Sequence, residues 1–449
     1  MENDLAKIKS IILVKGHLLT VSPLCISNGN HENTDHDLLV DKKGLPFIPG
    51  SAWAGSLYDY MTKEYPDNVV DIDELWGQKD HSSGKNPQSA LITHDSKLVS
   101  TECNIENRTS VKIDGKRKTS TDHSLFNYEI LPAGNTFRFS LELKIRDFHN
   151  YDNLKNIFYQ LISDISHGRT TIGGMSTSGF GEIILTEPKI AQFEFPETRI
   201  KWLSGDFKWE NFKPSQLISR SNSSIALIKL DLDLNNSINI REEYKGENKN
   251  IDSQHISSAG QPIIPGTSIK GVIRHQAKKI LNTLHNEESS MIIDRLFGYI
   301  QKDKSSAQKG RVYVNEAVIK NGIDSTQSRI KVSPFTGGTI RNALFTEKLI
   351  WADKNCGAKL LLRLEKPELF EMGLLLQVIK DLWTGRLPIG GEANIGRGRF
   401  TGKLLSIDYM GKSVSVERVG NELQINDSLN FLKDIEEAWE SFVIKENSK

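Results

Sequence analysis

A set of short motifs occurs twice along the chain, and this internal repeat restricts the possible folds more than any other feature. The paired motifs are IPGS (48–51) and IPGT (264–267), DELWG (73–77) and DRLFG (294–298), and the glycine-rich IGGMSTSGFG (172–181) and IGGEANIGRG (389–398), with a looser pair at 126–134 and 344–364. The offset from Pro49 to Pro265 is almost the same as the offset from Gly173 to Gly390. Ordered motifs at a nearly constant offset indicate a duplicated domain.

Each copy follows the same plan of predicted elements. It begins with the alternating pattern of a half-buried strand, at 7–21 and 224–238. The Pro-Gly turn then leads into an amphipathic helix, and a second helix is predicted at 151–166 and at 366–383. The glycine-rich loop and a short strand close each unit. This order predicts an α+β fold with two tandem ferredoxin-like domains.

The repeat also sets the expected domain boundaries. We place the first domain at 1–197 and the second at 218–405, with a linker at 198–217 between them and a C-terminal extension at 406–449.

Charge and cysteine content narrow the class of protein. The 57 basic residues balance the 57 acidic ones, which argues against nucleic-acid binding by bulk charge but permits local basic tracks. The three cysteines form no CxxC pair and no zinc spacing. We see neither a secretory signal nor an apolar run long enough to span a membrane, so we expect a cytoplasmic protein without a membrane partner.

The glycine-rich segments share the pattern GGxxxxGxG. Paired glycines allow backbone N–H groups to approach a phosphate closely, which makes Gly173, Gly174, Gly390 and Gly391 candidate RNA-binding positions. Arg397 and Arg399 add charge in the second copy only. The alternative is a tight turn between a helix and the closing strand.

Together these motifs resemble the RAMP superfamily of CRISPR–Cas proteins, in particular the backbone ("Cas seven" group) subunits of type III effector complexes. A tandem copy resembles the double-backbone subunit of type III-D systems. The resemblance implies an RRM-like core and, in each domain, a β-hairpin "thumb" insertion that kinks the guide–target duplex. It also implies CRISPR RNA, target RNA and further subunits as partners, namely a large polymerase-like subunit, other RAMP subunits and small subunits.

The resemblance assigns RNA contacts to two kinds of segment. The thumb candidates are 107–129 and 325–347, and their basic residues are Arg108, Lys112, Lys116, Arg117, Lys118, Arg329, Lys331 and Arg341. The helix after each Pro-Gly turn would contact the guide backbone through its N-terminus. Its candidates are Ser51, Thr267, Ser268, Lys270 and Arg274, with Ser51 and Thr267 expected at the helix N-cap. The alternative for the hairpin charges is a solvated surface.

In target-cleaving relatives, an aspartate in the loop before the Pro-Gly turn cuts the target RNA. Counting back from the turn, Asp35 is our first candidate and Asp37 the second; Asp252 is the counterpart in the second copy. A carboxylate can position or deprotonate a ribose 2′-OH that attacks the adjacent phosphate. A divalent ion, Mg or Mn, is expected to assist. His31 and His36 flank the first site, either as proton donors or as solvated loop residues.

Other functions fit parts of the pattern. A scaffold of the same fold would hold RNA without cutting it, and the sequence leaves open whether one or both halves cleave. A CRISPR RNA-processing endonuclease would need a histidine-centred site. A phosphate-binding metabolic enzyme would need an ordered catalytic set, which we do not find.

Overall fold

The computed structural model describes residues 7–27, 29, 34–77, 88–115, 117, 119–214, 224–244, 246, 250–284, 288–301 and 306–447. The chain forms two compact units. The first comprises Met1–Arg108, Phe126–Ser176 and Phe180–Ile218, and the second comprises Thr109–Leu125, Thr177–Gly179 and Ser219–Lys449. The mixed helix and strand content confirms the predicted α+β class, while the ferredoxin-like type and the domain boundaries stay predictions.

The first half of the chain alternates strands with helices. Its strands and helices are β1 (Ile8–Thr20), β2 (Phe47–Ile48), α1 (Gly50–Glu64), α2 (Val69–Trp76), β3 (Leu91–Thr93), β4 (Ser96–Lys97), β5 (Glu106–Ile113), β6 (Ser120–Ile130), β7 (Thr136–Arg146), α3 (Tyr151–Ser166), β8 (Ile183–Glu194), α4 (Arg199–Ser204) and β9 (Glu210–Asn211).

The core of the first unit lies between one face of a sheet and helices α1 and α3. The sheet has the order β3-β7-β1-β8-β9, and β1 pairs antiparallel with both of its neighbours. Side chains alternate along β1, so Ile12, Val14 and Leu18 share one face and are almost fully buried. They belong to one apolar cluster with residues of the two helices, Trp53, Leu57, Met61, Leu154, Phe158 and Leu161.

Helix α3 forms where the sequence predicts it, because its apolar residues recur every three to four positions. Its start is set by Asn150, whose side chain accepts a hydrogen bond from the Asn153 amide at 3.2 Å.

The opposite face of the first sheet is covered by aromatic residues from the segment after β8. Phe193 on β8 meets the rings of Trp202 and Phe207 edge-on, each at 5.1 Å between centroids. The Lys15 ammonium lies 3.8 Å from the centre of a Trp209 ring. Much of the segment expected to form a linker therefore packs on the first unit, and it adds the edge strand β9.

The second half of the chain repeats the plan with longer strands. Its strands and helices are β10 (Ile225–Leu234), β11 (Ser237–Ile238), β12 (Arg241–Glu243), β13 (Ser253–His255), β14 (Ser257–Ser258), β15 (Gln261–Ile264), α5 (Gly266–Thr283), α6 (Ser289–Phe297), β16 (Gly298–Ile300), β17 (Ala307–Lys309), β18 (Val312–Val314), β19 (Ala317–Val332), β20 (Thr339–Glu365), α7 (Leu369–Trp383), β21 (Phe400–Tyr409), β22 (Lys412–Val419), β23 (Glu422–Asn426) and α8 (Phe431–Asn447).

In the second unit β10 takes the central place that β1 has in the first. It pairs antiparallel with β20 and β21, and α7 connects those two strands. The C-terminal segment belongs to this unit. Strands β22 and β23 extend the sheet beyond β21, and α8 packs on α7 through the Phe370 and Phe442 rings, whose centroids are 4.6 Å apart.

Paired strands lie in both segments where a thumb is expected, and their role as thumbs stays a prediction. Strands β5 and β6 pair with each other in the first half. Strands β19 and β20 form a longer hairpin in the second half, with the turn at 333–338 and Phe335 fully exposed at the turn. The second strand of each pair, β6 or β20, passes beside the loop preceding the Pro-Gly turn.

Candidate functional site

Asp35 is held on the strand that returns from the first hairpin. Its backbone N–H donates to the carbonyl of Asn127 at 3.0 Å, and its Oδ2 accepts from the N–H of Asn127 at 2.7 Å. The next residue, His36, forms a parallel bridge with Tyr128. Asp35 is exposed, but its two hydrogen bonds hold it at a defined position beside β6.

Asp252 is held in the same way in the second half. Its N–H donates to the carbonyl of Thr346 at 2.8 Å, and its Oδ2 accepts from the Thr346 N–H at 2.7 Å. The next residue, Ser253, pairs in parallel with Glu347 on β20. Asp252 is also exposed.

The two aspartates are therefore structural equivalents. The offset between them in the sequence equals the offset between Gly173 and Gly390, and each makes the same two hydrogen bonds to the strand that leaves a hairpin. The small difference in their spacing to the Pro-Gly turns does not disturb this arrangement. The geometry also aligns the loosely matched motif, because Asn127 and Thr346 occupy corresponding positions.

Asp37 has a different environment. It is 5% exposed, and its Oδ1 accepts from both the backbone N–H and the hydroxyl of Thr34, at 2.7 and 2.8 Å. By accepting these two hydrogen bonds, the buried Asp37 carboxylate stabilises the turn from Thr34 to Asp37 in its own loop. The geometry favours Asp35 over Asp37 as the residue that faces a ligand. His31 lies outside the described residues, and His36 is exposed.

The prediction that Ser51 and Thr267 are helix N-caps is wrong. Helices α1 and α5 begin at the glycines, and the N-cap residues are Pro49 and Pro265. The fixed φ of proline suits the extended conformation that an N-cap requires. Ser51 and Thr267 lie in the first turn instead. In α1 the Gly50 amide donates to the Asp95 carboxylate at 2.8 Å, so a carboxylate of the chain already occupies this helix end.

Helix α5 carries more positive charge near its N-terminus. Thr267, Ser268 and Lys270 are half-buried there. Burial, together with the nearby Arg274 and Lys309, lowers the pKa of Lys270 to about 8. Arg274 also contacts Asp294 at 3.2 Å. A half-buried lysine next to two other cations is stabilised by an incoming anion.

The glycine loops need glycine because the backbone of another segment passes close to them. A Cβ at Gly173 would lie 2.5 Å from the carbonyl oxygen of Cys25, and one at Gly390 would lie 2.9 Å from that of Asn239. The N–H groups of Gly174 and Gly391 donate to these same carbonyls, each at 2.8 Å. The amides of Gly174 and Gly391 are therefore engaged within the protein and do not form the phosphate cradle expected from the pattern, and the tight-turn alternative accounts for them.

Comparison with known families adds to this geometry. A family model described as the RAMP superfamily matches residues 17–184 and 219–401. The chain belongs to the RAMP superfamily. The two matches cover most of both repeats, so each half is a RAMP region. No curated protein matches the chain at a significant level.

Membership of the RAMP superfamily supports a CRISPR-associated, RNA-binding protein that works with RNA and other subunits. Among the helices described, none has the length and apolarity needed to cross a membrane.

In this RAMP protein several predicted RNA-binding arginines are engaged with the chain itself. Arg397 is 3% exposed and contacts Glu392 at 2.7 Å. Arg329 contacts Glu347 and Glu392. Arg399 donates to the carbonyl of Gly385 at 2.7 Å. These side chains contribute to packing, which contradicts their expected availability to RNA phosphate.

Arg108 is also buried, contrary to the expected exposure on a hairpin. It is 2% exposed, and its guanidinium lies 5.8 Å from the centre of the Phe180 ring. By contrast, Lys112, Arg117, Lys331 and Arg341 are exposed on the hairpins, where RNA can reach them. Lys116 and Lys118 lie outside the described residues.

Sequence reasoning missed the acidic partners of these arginines. The buried Glu347 and the half-buried Glu392 are the carboxylates that contact Arg329 and Arg397, and Arg241 joins the same group. Local charge patterns give no signal of such a cluster, because its members come from segments far apart in the sequence. We call Arg241, Arg329, Glu347, Glu392 and Arg397 the arginine–glutamate cluster.

The residues near Asp35 and Asp252 do not form a metal site by themselves. Within the described part of the chain, no group of three or more His, Cys, Asp or Glu side chains is arranged to hold a metal ion. One oxygen of each aspartate also accepts a backbone N–H. We therefore derive no chemical step through a metal ion.

Proposed function

We propose that the chain is a tandem backbone subunit of a type III CRISPR effector complex. In this proposal it binds CRISPR RNA and cleaves complementary target RNA at two places, one at Asp35 and one at Asp252. The observation that carries the proposal is the identical pair of hydrogen bonds that holds each aspartate on the strand leaving a hairpin.

The chemistry follows from how each aspartate is placed. One carboxylate oxygen anchors the side chain to the strand, and the residue is exposed beside the hairpin. A carboxylate so placed orients or deprotonates the 2′-OH of a target nucleotide. The 2′-oxygen attacks the adjacent phosphorus, the bond to the 5′-oxygen breaks, and that oxygen takes a proton from water. The products are a 2′,3′-cyclic phosphate and a 5′-OH end.

The exposed cations supply a path for the RNA backbone. Lys112 and Arg117 lie on the first hairpin, and Lys331 and Arg341 on the second. Lys270, at the start of α5, adds the anion-accepting position described above. Such contacts grip phosphates and leave sequence recognition to base pairing.

The test is cleavage of an end-labelled target by the complex assembled with its guide. Asp35→Asn and Asp252→Asn each keep a side-chain oxygen that accepts the backbone N–H, so the loop stays in place. Each variant is expected to slow one cut by about 10²- to 10⁴-fold and leave the other unchanged. Glu243→Gln, an exposed acidic residue upstream of Asp252, is the matched control and should cut normally.

Two other outcomes would point to other functions. Unchanged cutting in both variants, with guide binding retained, would reject the site and favour a scaffold that holds RNA. Cutting of guide precursor by the isolated chain would favour a processing endonuclease. Adding a chelator to the same assay tests the expected divalent ion, with guide binding as the measure of an intact complex.

A further inference from the structure

The strand that holds Asp252 is itself held by the ion pairs of one buried carboxylate, Glu347. Glu347 directly follows Thr346, the residue that donates its N–H to Asp252. Its carboxylate contacts Arg329, Arg241 at 2.6 Å and Arg397 at 3.7 Å. The side chains of Glu347 and Arg397 are only 3% and 4% exposed. Glu347 and Arg397 thus lie in the interior of the unit, whereas the Arg241 side chain is half-exposed.

The arginine–glutamate cluster joins three segments of the second unit. Arg329 and Glu347 lie on the two strands of the hairpin, β19 and β20. Arg241 lies on β12, which pairs with β13 directly after Asp252. Glu392 and Arg397 come from the glycine loop, and Glu392 contacts all three arginines. Moving any one segment therefore breaks contacts to the other two.

In the first half the equivalent strand packs into an apolar cluster, and the buried Arg108 guanidinium lies 5.8 Å from the centre of the Phe180 ring in that cluster. Tyr128 follows Asn127 as Glu347 follows Thr346, and the repeat aligns Phe180 with Arg397 and Met175 with Glu392. Met175 and Glu392 share a positive φ, of 56° and 59°. Cys25, Tyr128, Ile130 and Phe180 form an apolar cluster, against which Met175 packs.

We propose that Glu347 and Arg329 are positioning residues for Asp252. The inference rests on the proposed function and adds how Asp252 is held. A buried ion pair is directional, and removing one partner leaves a buried charge uncompensated. Loss of one charge near Glu347 should displace the strand and with it the amide that donates to Asp252.

The test compares Glu347→Gln with Asp324→Asn in the assembled complex. Asp324 forms an exposed ion pair with Lys348 at 2.7 Å across the same two strands, so it controls for loss of a hairpin ion pair outside the cluster. The measurements are the rates of the two cuts on one target and the hydrogen–deuterium exchange of peptides spanning 339–350 and 120–131.

Glu347→Gln should slow the Asp252 cut by about 10²-fold, because a displacement on the order of 1 Å has that effect on a positioned group. It should leave the Asp35 cut unchanged and speed exchange in 339–350 only. Asp324→Asn should change neither cut. Adding Arg329→Gln to Glu347→Gln restores the excess of one positive charge in the cluster, so this double variant should recover part of the cut and of the protection.

Three results would overturn the inference. They are unchanged exchange in 339–350, faster exchange without loss of the second cut, and a double variant worse than the single one, as expected if each contact only adds stability. Failure of the proposed function is distinguishable, since the wild-type complex would then show no cut sensitive to Asp252→Asn. In that case the exchange data alone decide whether the cluster holds the strand.

Discussion

Lys270 provides a stability prediction that depends on pH. Burial, Arg274 and Lys309 lower its pKa from 10.5 to about 8. In the absence of RNA this charge is therefore unfavourable in the folded protein. Replacing it by methionine, which nearly keeps the length of the side chain, should stabilise the second unit near neutral pH.

The size and sign follow from proton linkage. The pKa shift corresponds to up to about 3 kcal/mol of destabilisation. Below pH 8 the lysine is charged in both the folded and unfolded states, so the full cost is present. Between pH 8 and 10.5 the unfolded chain binds more protons, and the stability contribution of this residue rises with pH until the cost is gone. The advantage of Lys270→Met should thus be greatest at pH 7 and vanish near pH 10.5.

Urea denaturation at a series of pH values measures the difference in unfolding free energy between Lys270→Met and wild type. Hydrogen exchange of α5 peptides assigns the transition to the second unit. Lys278→Met, exposed on the same helix, is the control and should change stability little. RNA phosphate bound at Lys270 would favour its charged form, so guide affinity should fall by up to about tenfold per pH unit above pH 8. A Lys270→Met protein that is no more stable than wild type at pH 7 would refute the reasoning.

Three further predictions concern folding. Gly398→Ala should prevent folding of the second unit, since its Cβ would lie 1.9 Å from the carbonyl oxygen of Ile389. The control is Gly396→Ala, which is also at positive φ but in open space, and it should lower the free energy of unfolding by about 1 kcal/mol in urea denaturation. Phe431→Ala, 1% exposed, should cost about 3–5 kcal/mol and free α8 for limited proteolysis; an intact α8 would contradict its packing. Asp37→Ala, which removes the oxygen that accepts from Thr34, should loosen the first loop and lower its protection from hydrogen exchange, unlike Asp35→Asn, which keeps its acceptor; equal protection in the two variants would reject the loop-closing role.

The elements with a strong hydrophobic period can be predicted from the sequence. The predicted helix at 151–166 is α3, and the predicted strand at 7–21 contains β1. The apolar residues of each segment recur with a clear period, so periodicity locates both elements. The duplication likewise predicts that both halves share one plan, because this needs only the motif order.

The details that depend on distant partners cannot be predicted in this way. The conformation of the glycine loop decides whether Arg397 faces solvent or contacts Glu392. Local composition does not predict that conformation. The paired glycines suggest contact with a ligand, but in the structure another segment of the chain approaches them. Both a ligand and a neighbouring segment require the absence of a Cβ, so the sequence does not distinguish them. Spacing locates the aspartates, but only the hydrogen bonds to Asn127 and Thr346 establish that they are equivalents.

The aromatic cover on the first sheet has a consequence for how RNA can lie on this unit. RNA-recognition-motif proteins stack bases on aromatic side chains of an open sheet face. Here Phe193 on that face already packs against Trp202 and Phe207, and Lys15 contacts the Trp209 ring. Phe193 and Lys15 are therefore not available to stack on bases, and under the proposed function an RNA strand on this unit would turn its bases away from them.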